Sequence, residues 1–591
     1  MIKRTCRQSG ATFEISKEDL DFYVKMGVIT EEQFDKLKSL QVDESTNIEA
    51  EKIPQEWLIG LPTLCPEERQ RRRTCFRNFT KLYKRNCFAT GKPLVSIYDI
   101  DKPFPVYENE YWWGDSWDAL NFGRDFNFSR SFFEQFGYLQ SVVPRFSTYN
   151  TNSEKCDYAT AFSSKNCYLI GGCVRNEDCA YGHIVWDSND CFDNLYVSNC
   201  QWCSYCIDSV NCYETHFSSE CANCSSSYFL HDCRNCEHCF ACTNLRNKKY
   251  CFMNEQLTEE AYEQKMADIT PLSNPTIKNG WQWLEQIKLG KTVFPAMFGL
   301  KNEDCTGNHI YESKNCFTAF DAKKSEDSKF LYTSFNLQNS YDISFTGHTA
   351  RFVLEGLSVH GSEDSKFCFD IHNSNNLLYS SFCFNCEHCF GCTGLRNKKY
   401  CILNKQYTPE EYEALVSKII EHMKKTPLKN EKGEATQGVE WGEFFPANLS
   451  PFAYNETVAS EYFPLAETEA VKLGYIWKSD ESVVSQGKDS YKVPDDIEGI
   501  SDEILNQVLY CERTGKPYKI QKAELNFYKK MKLPLPILHP DERHKDRMAL
   551  RNPRRLWERC CADCGATIQT TFAPDRPEKI LCEACYLKVV E

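Results

Sequence analysis

The stretch NCEHCFACTNLRNKKYC, residues 235–251, returns almost unchanged as NCEHCFGCTGLRNKKYC at residues 385–401. Both copies keep the spacing Cys-x2-Cys-x2-Cys-x8-Cys. So close a match marks the middle of the chain as a duplicated Cys-rich unit, and it governs how the other cysteines are read.

Upstream of the first copy the cysteines keep a rhythm. CYLIGGCVRNED, CAYGHIVWDSND and CFDNLYVSNCQW start at Cys167, Cys179 and Cys191, 12 residues apart. CSYCIDSVN, CYETHFSSECAN and CSSSYFLHD follow in steps of 9 and 12. Each unit is a short alternating run ending in Asn, Asp or Ser, which reads as a strand and a turn. Steps of 9 and 12 predict a parallel β-solenoid with coils of about 21–24 residues. The second half follows the same plan, with Ser or other residues where the first has Cys. That drift suits interior packing positions better than shared metal ligands. The expected fold is therefore mainly β: two tandem parallel β-solenoid units, about 145–256 and 303–406, with helical caps and small α+β modules at the ends.

The repeated motif leaves two readings open. Cys236, Cys239, Cys242 and Cys251, with Cys386, Cys389, Cys392 and Cys401, are spaced to hold Zn²⁺ or an Fe–S cluster. They also suit the inward positions of a last solenoid rung, which is the preferred reading. His238 and His388 read as exposed turn residues. After each copy comes a helix signal. In YTPEEYEAL (407–415) Thr408 is the N-cap, Pro409 sits at N1 and Glu411 at N3. LTEEAYEQ (257–264) is its counterpart, and the aromatic segment 112–136 reads as a cap on the other end of the first solenoid.

The two ends of the chain resemble each other. CRQSGATFEISKEDLDFYVKMG (6–27) aligns with CERTGKPYKIQKAELNFYKKMK (511–532), and LPTLCPEERQRRR (61–73) with LPILHPDERHKDR (535–547). RNFTKLYKRNCFATG (77–91) aligns with RNPRRLWERCCADCG (551–565). One complete pair of knuckles is present, Cys561-x2-Cys564 and Cys582-x2-Cys585, whose four thiolates suit a structural zinc. The equivalent positions elsewhere have lost ligands: Cys511, Thr514, His539 and Glu542; Cys6, Ser9, Cys65 and Glu68; Cys87, Thr90, Glu108 and Tyr111. A residual Cys511/His539/Glu542 site is the alternative to metal-free packing there.

These ends look like the small bacterial zinc-ribbon module with Cys-x2-Cys-Gly, then Phe-Tyr, then Cys-Pro-x-Cys-Arg. Tandem modules around a Cys-rich middle resemble a group of uncharacterised zinc-ribbon proteins from reduced-genome bacteria. The resemblance spans nearly the whole chain and implies architecture without an activity. The expected layout is a degenerate ribbon-like module (1–111), an aromatic cap or linker (112–142), the first solenoid with its cap (143–300) and the second (301–450). An extension with an acidic linker (451–505) and the C-terminal ribbon (506–591) complete it.

No apolar run approaches the ~18 residues of a membrane span. MIKRTCRQSGATFEIS lacks an apolar h-region, so a cytoplasmic chain is expected. In a reducing compartment the 34 cysteines are thiols or metal ligands before they are disulfides. P-loop, GxSxG, HExxH and dinucleotide patterns are missing. The net charge of −14 argues against a surface that binds nucleic acid as a whole. Two basic segments stand out, 68–85 and 542–559, and Arg71, Arg72, Arg73, Arg551, Arg554 and Arg555 would be their phosphate contacts.

Three functions follow. The first is a non-catalytic binding or scaffold protein with a protein partner and a structural Zn, which is favoured. The second is a zinc-ribbon nucleic-acid-binding protein. The third is a β-solenoid carbohydrate-active enzyme using acids such as Asp187, Asp190 and Asp193. Neither the partner nor the oligomeric state is legible.

Overall fold

A computed structural model describes residues 1–40, 47–429, 434–479 and 491–590. It is mainly sheet, with 32% of residues in strand and 25% in helix. Residues 41–46, and residues 480–490 of the acidic linker expected within 451–505, lie outside the described residues.

The Cys-rich middle pairs with itself in parallel. Strands Gly171–Val174, His183–Trp186, Leu195–Ser198 and Ile207–Val210 are neighbours in chain order. Their registers are His183↔Leu195 and Leu195↔Ile207, an offset of 12. The longer strands of the second half, Ala350–His360 and Ser362–His372, pair with the same offset, Val353↔Ser365. One slip to 13 occurs, at Tyr341↔Leu354. The expected coil of 21–24 residues is therefore corrected: the chain returns to itself every 12.

The reason is a finer period of three. Left-handed backbone recurs at every third residue, as at Asp178, Tyr181, Ile184, Asp187, Asp190 and Asp193, with φ between 51° and 57°. Each such residue turns the chain, which makes 12 residues four short sides. Asn and Asp take this conformation at low cost, whereas Ile184 and Tyr181 are strained by about 1–2 kcal/mol each. The residue after each turn points inward. Cys200, Cys203, Cys206, Cys212, Cys221 and Cys224 are all such residues, at most 2% exposed. Four inward side chains share each coil, so small ones predominate and larger ones such as Leu230 and Ile343 are interspersed; this accounts for the abundance of Cys, Ser and Val.

The inward groups are also satisfied. The Cys242 thiol lies 3.3 Å from the carbonyl of Phe240 and 3.5 Å from that of Cys251. Inward Ser does the same work: Ser328 Oγ donates to the Glu326 carbonyl at 2.7 Å and accepts from the Ser340 N–H at 3.1 Å. Cys and Ser are thus exchangeable here, which explains the drift between halves.

Both ladders end alike. Lys249–Phe252 and Lys399–Ile402 are each closed by a short antiparallel partner, Glu255–Gln256 and Lys405–Gln406. A helix follows each, Glu259–Ala267 and Pro409–Met423. The second has the expected capping box: Thr408 Oγ1 accepts from the Glu411 N–H, and the Glu411 carboxylate accepts from the Thr408 N–H. These elements cover the open strand edge.

The chain divides into two compact units. One comprises Met1–Asn78, Tyr83–Ser147 and Met297–Lys478; the other comprises Phe79–Leu82, Thr148–Ala296 and Ser479–Glu591. The N-terminal module thus belongs with the second ladder, and the C-terminal module with the first. The aromatic segment expected to cap the first solenoid packs on the second: Trp113 meets Phe384 at 4.7 Å between ring centroids, and Phe132 meets Phe390 at 5.3 Å. Arg396 fixes it by donating to the carbonyls of Gly114 and Trp117. The aromatic rings, not sequence adjacency, decide its place.

Candidate metal centre

The complete knuckle pair folds as its spacing demands. A hairpin, Trp557–Cys560 with Thr567–Thr570, presents the first knuckle. Cys561 N–H donates to the Ala566 carbonyl at 2.8 Å, and Gly565 at φ 75° closes the turn. The second knuckle joins strand Lys579–Leu581 to helix Glu583–Val590. The Ala562 N–H donates to the Ile580 carbonyl at 2.9 Å and holds the two knuckles together.

The sulfurs of Cys561, Cys564, Cys582 and Cys585 all lie within 4.8 Å of one another. The Cys564–Cys582 separation is 3.8 Å. A tetrahedron with metal–sulfur bonds of about 2.3 Å needs edges of about 3.8 Å, so these residues can hold one metal ion. Burial pushes the Cys561 thiol up, but the N–H groups of Cys582, Cys564 and Asp563 outweigh it and hold the thiol down, to about 6. Asp563 beside Cys585 pushes that thiol up. The centre is anchored to the ladder: Tyr586, on the helix that carries Cys585, bonds Asp232 and receives a 2.6 Å bond from Arg246.

The repeated motifs lie in the ladders. Cys236, Cys239 and Cys242 are consecutive inward residues of one coil, and Cys251 pairs with Cys239 one coil later. Cys386, Cys389, Cys392 and Cys401 repeat this, with Cys389↔Cys401. Neither set is among the groups of described residues whose ligand atoms converge within 4.8 Å. His238 and His388 take left-handed backbone and stack on Tyr250 and Tyr400 at 5.3 and 5.0 Å.

The incomplete knuckles close by direct contacts. Ser9 Oγ is 3.7 Å from Cys65 Sγ. Thr90 Oγ1 is 3.0 Å from a Glu108 oxygen, and the Glu108 N–H donates to Cys87 Sγ. His539 Nδ1 accepts from the Asp541 N–H at 3.1 Å, and Glu542 pairs with Arg513 and Lys545. Hydroxyl and carboxylate stand where further thiolates would converge.

The basic segments begin in helices Pro66–Thr74 and Pro540–Ala549, and Arg551, Arg554 and Arg555 follow the second. Arg71 pairs with Glu68 at 2.6 Å. Arg72 pairs with Glu355 and Glu443, and Arg73 with Asp342 at 3.1 Å and Glu355 at 2.7 Å. Arg551 clasps both oxygens of Asp208, at 2.8 and 2.9 Å. Arg554 donates to the Tyr196 hydroxyl at 2.8 Å. Arg555 is exposed and lies over the Trp557 ring. Five of the six phosphate-contact candidates are thus engaged inside their own unit.

Sequence reasoning passed over the acids that receive them. Asp193 binds Arg543 and Arg547, and Asp342, Glu355 and Asp370 bind Arg69, Arg73 and Arg77. All four acids hold left-handed turn positions, with φ of 50–61°. The acids expected for an enzyme are spent the same way: Asp187 is clasped by Arg175 at 2.5 and 2.7 Å, and Asp193 by the two arginines above. The Asp190 carboxyl is pushed up chiefly by burial and then by the nearby Asp178. The signal available was the triplet phase shared by these acids.

No helix among the described residues is long and apolar enough to cross a membrane. No family model and no curated protein matches the chain. One solved structure with some likeness, from Desulfovibrio desulfuricans G20, is described as a "putative acetyltransferase". It is 8% identical over 39% of this chain and 64% of that one, and its TM-score of 0.11 carries no argument.

Proposed function

We propose that the chain is a non-catalytic scaffold of the zinc-ribbon kind, with one structural Zn²⁺ on Cys561, Cys564, Cys582 and Cys585. Its repeats then form two β-solenoid units of 12-residue coils, which hold the ribbon-like modules in place. The observation that carries this is the use of charge. Arg72, Arg73, Arg547 and Arg551, in or just after the two basic helices, are consumed in buried pairs with turn acids of a ladder. A helix so engaged is a clamp between modules rather than a contact for phosphate.

The zinc assignment rests on four thiolates at two knuckles, since soft tetrahedral sulfur favours that ion. Binding of the chain to random RNA and DNA at low salt separates the readings. Little retention is expected. Retention that falls steeply with salt, and falls further on Arg551→Ala, would favour the nucleic-acid reading.

A further inference from the structure

The N-terminal module keeps two of four knuckle sulfurs, and they adjoin. Cys6 follows strand Ile2–Thr5, in a turn closed by Gly10 at φ 72°. Cys65 is the N-cap of helix Pro66–Thr74, with no side-chain capping bond of its own. The Arg7 N–H donates to the Thr63 carbonyl at 3.1 Å, which fixes the two loops side by side. Across them Ser9 Oγ, three residues after Cys6, lies 3.7 Å from Cys65 Sγ, which brings the Cys65 side chain to the knuckle of Cys6. The neighbouring Cys65 is the largest influence on Cys6 and holds its thiol down, to about 4, against the opposing effect of burial.

Cys6 is buried, but unlike Cys65 it borders open space. Cys6 lines a cavity of about 650 Å³. Arg7, Arg72, Lys429 and Lys472 also line it, against a single acid, Glu51. Arg7 and Arg72 share the buried Glu443, so the two lysines give the wall its surplus positive charge.

We propose that Cys6 and Cys65 are a redox-active dithiol that exchanges with a small disulfide bearing carboxylates. The Cys6 thiolate attacks one sulfur of that disulfide and expels the other half as a thiolate. Cys65 then displaces the second half from Cys6, and its proton leaves on that small thiol. A Cys6–Cys65 bond forms, the chain gives up two electrons, and the small disulfide is reduced to two thiols. The lysines attract the carboxylates, and the Cys65 thiol keeps Cys6 ready for attack.

The test treats the full chain with oxidised glutathione, alkylates the remaining thiols, and maps linked peptides without reduction. A Cys6–Cys65 crosslink is expected, reversed by dithiothreitol. In Cys65→Ser, glutathione should remain on Cys6. The neutral 2-hydroxyethyl disulfide should react more slowly, on the order of tenfold. Wild-type chain with both thiols still alkylated, or with glutathione only on Cys560 and Cys564, overturns the proposal. Equal rates with the two disulfides overturn the carboxylate preference. The wild-type map needs no variant, so misfolding of Cys65→Ser cannot obscure the result.

Discussion

Asp193 shows what single residues do in this chain. It sits at a left-handed turn and takes both Arg543 and Arg547, all three nearly withdrawn from solvent. Two cations on one buried carboxylate gain their value from completeness; removing the anion leaves Arg547 uncompensated and Arg543 with Glu524 alone, 3.5 Å away. Asp193→Ala should therefore cost about 3–5 kcal/mol, read by denaturant unfolding of the unit that contains it. A loss near zero would mean the pair adds nothing. Glu443 makes the same point through pH. Burial pushes its carboxyl up, yet Arg7, Arg72 and the Thr63 hydroxyl overcome this and hold it well below the usual carboxylate range. A depressed pKa stabilises the fold above the unfolded value, near 4.3, and that contribution is lost as pH falls. Glu443→Gln should flatten the acid limb of the stability profile below about pH 4.3, measured by thermal melts across pH.

At the scale of elements, the decisive feature is the three-residue side. Inward residues recur every third position, and those around Cys206 are small: Asn194, Cys203, Ser209 and Ser218. Cys206→Ser should cost little, since neighbouring inward serines find carbonyl and N–H partners. Cys206→Leu should cost about 1–3 kcal/mol by overpacking, and the difference between the two variants is the readout. Parallel β structure, the 12-residue step, the buried cysteines and the Thr408–Glu411 capping box were all legible in the sequence. The coil length was not. Cys marks only some inward positions, with Ser, Val and Asn at the rest, so gaps of 9 and 12 concealed a period of three. The left-handed turns were hidden too, because residues such as Tyr181 and Ile184, strained there, fill some of them in place of Asn or Asp.

At the scale of the molecule, the sequence order of modules is not their order of association. Each unit joins one end module to one ladder, and the arginine stripes do the joining. A stripe at Arg69, Arg73 and Arg77 matches one at Arg543, Arg547 and Arg551. Their acids match as well: Glu355 and Asp370 are spaced as Asp193 and Asp208 are. The sequence displayed the basic stripes but not their targets, because turn acids in a repeat look unremarkable without the register. The four-cysteine centre was readable in full, since both its knuckles are local.

Metal content tests the account most directly. Elemental analysis of the purified chain should find about one zinc per molecule. Cys564→Ser should lose it, and a chelator should lower the stability of the C-terminal ribbon. A chain that contains no zinc, or a Cys564→Ser variant with unchanged metal and unchanged unfolding, would contradict the central claim.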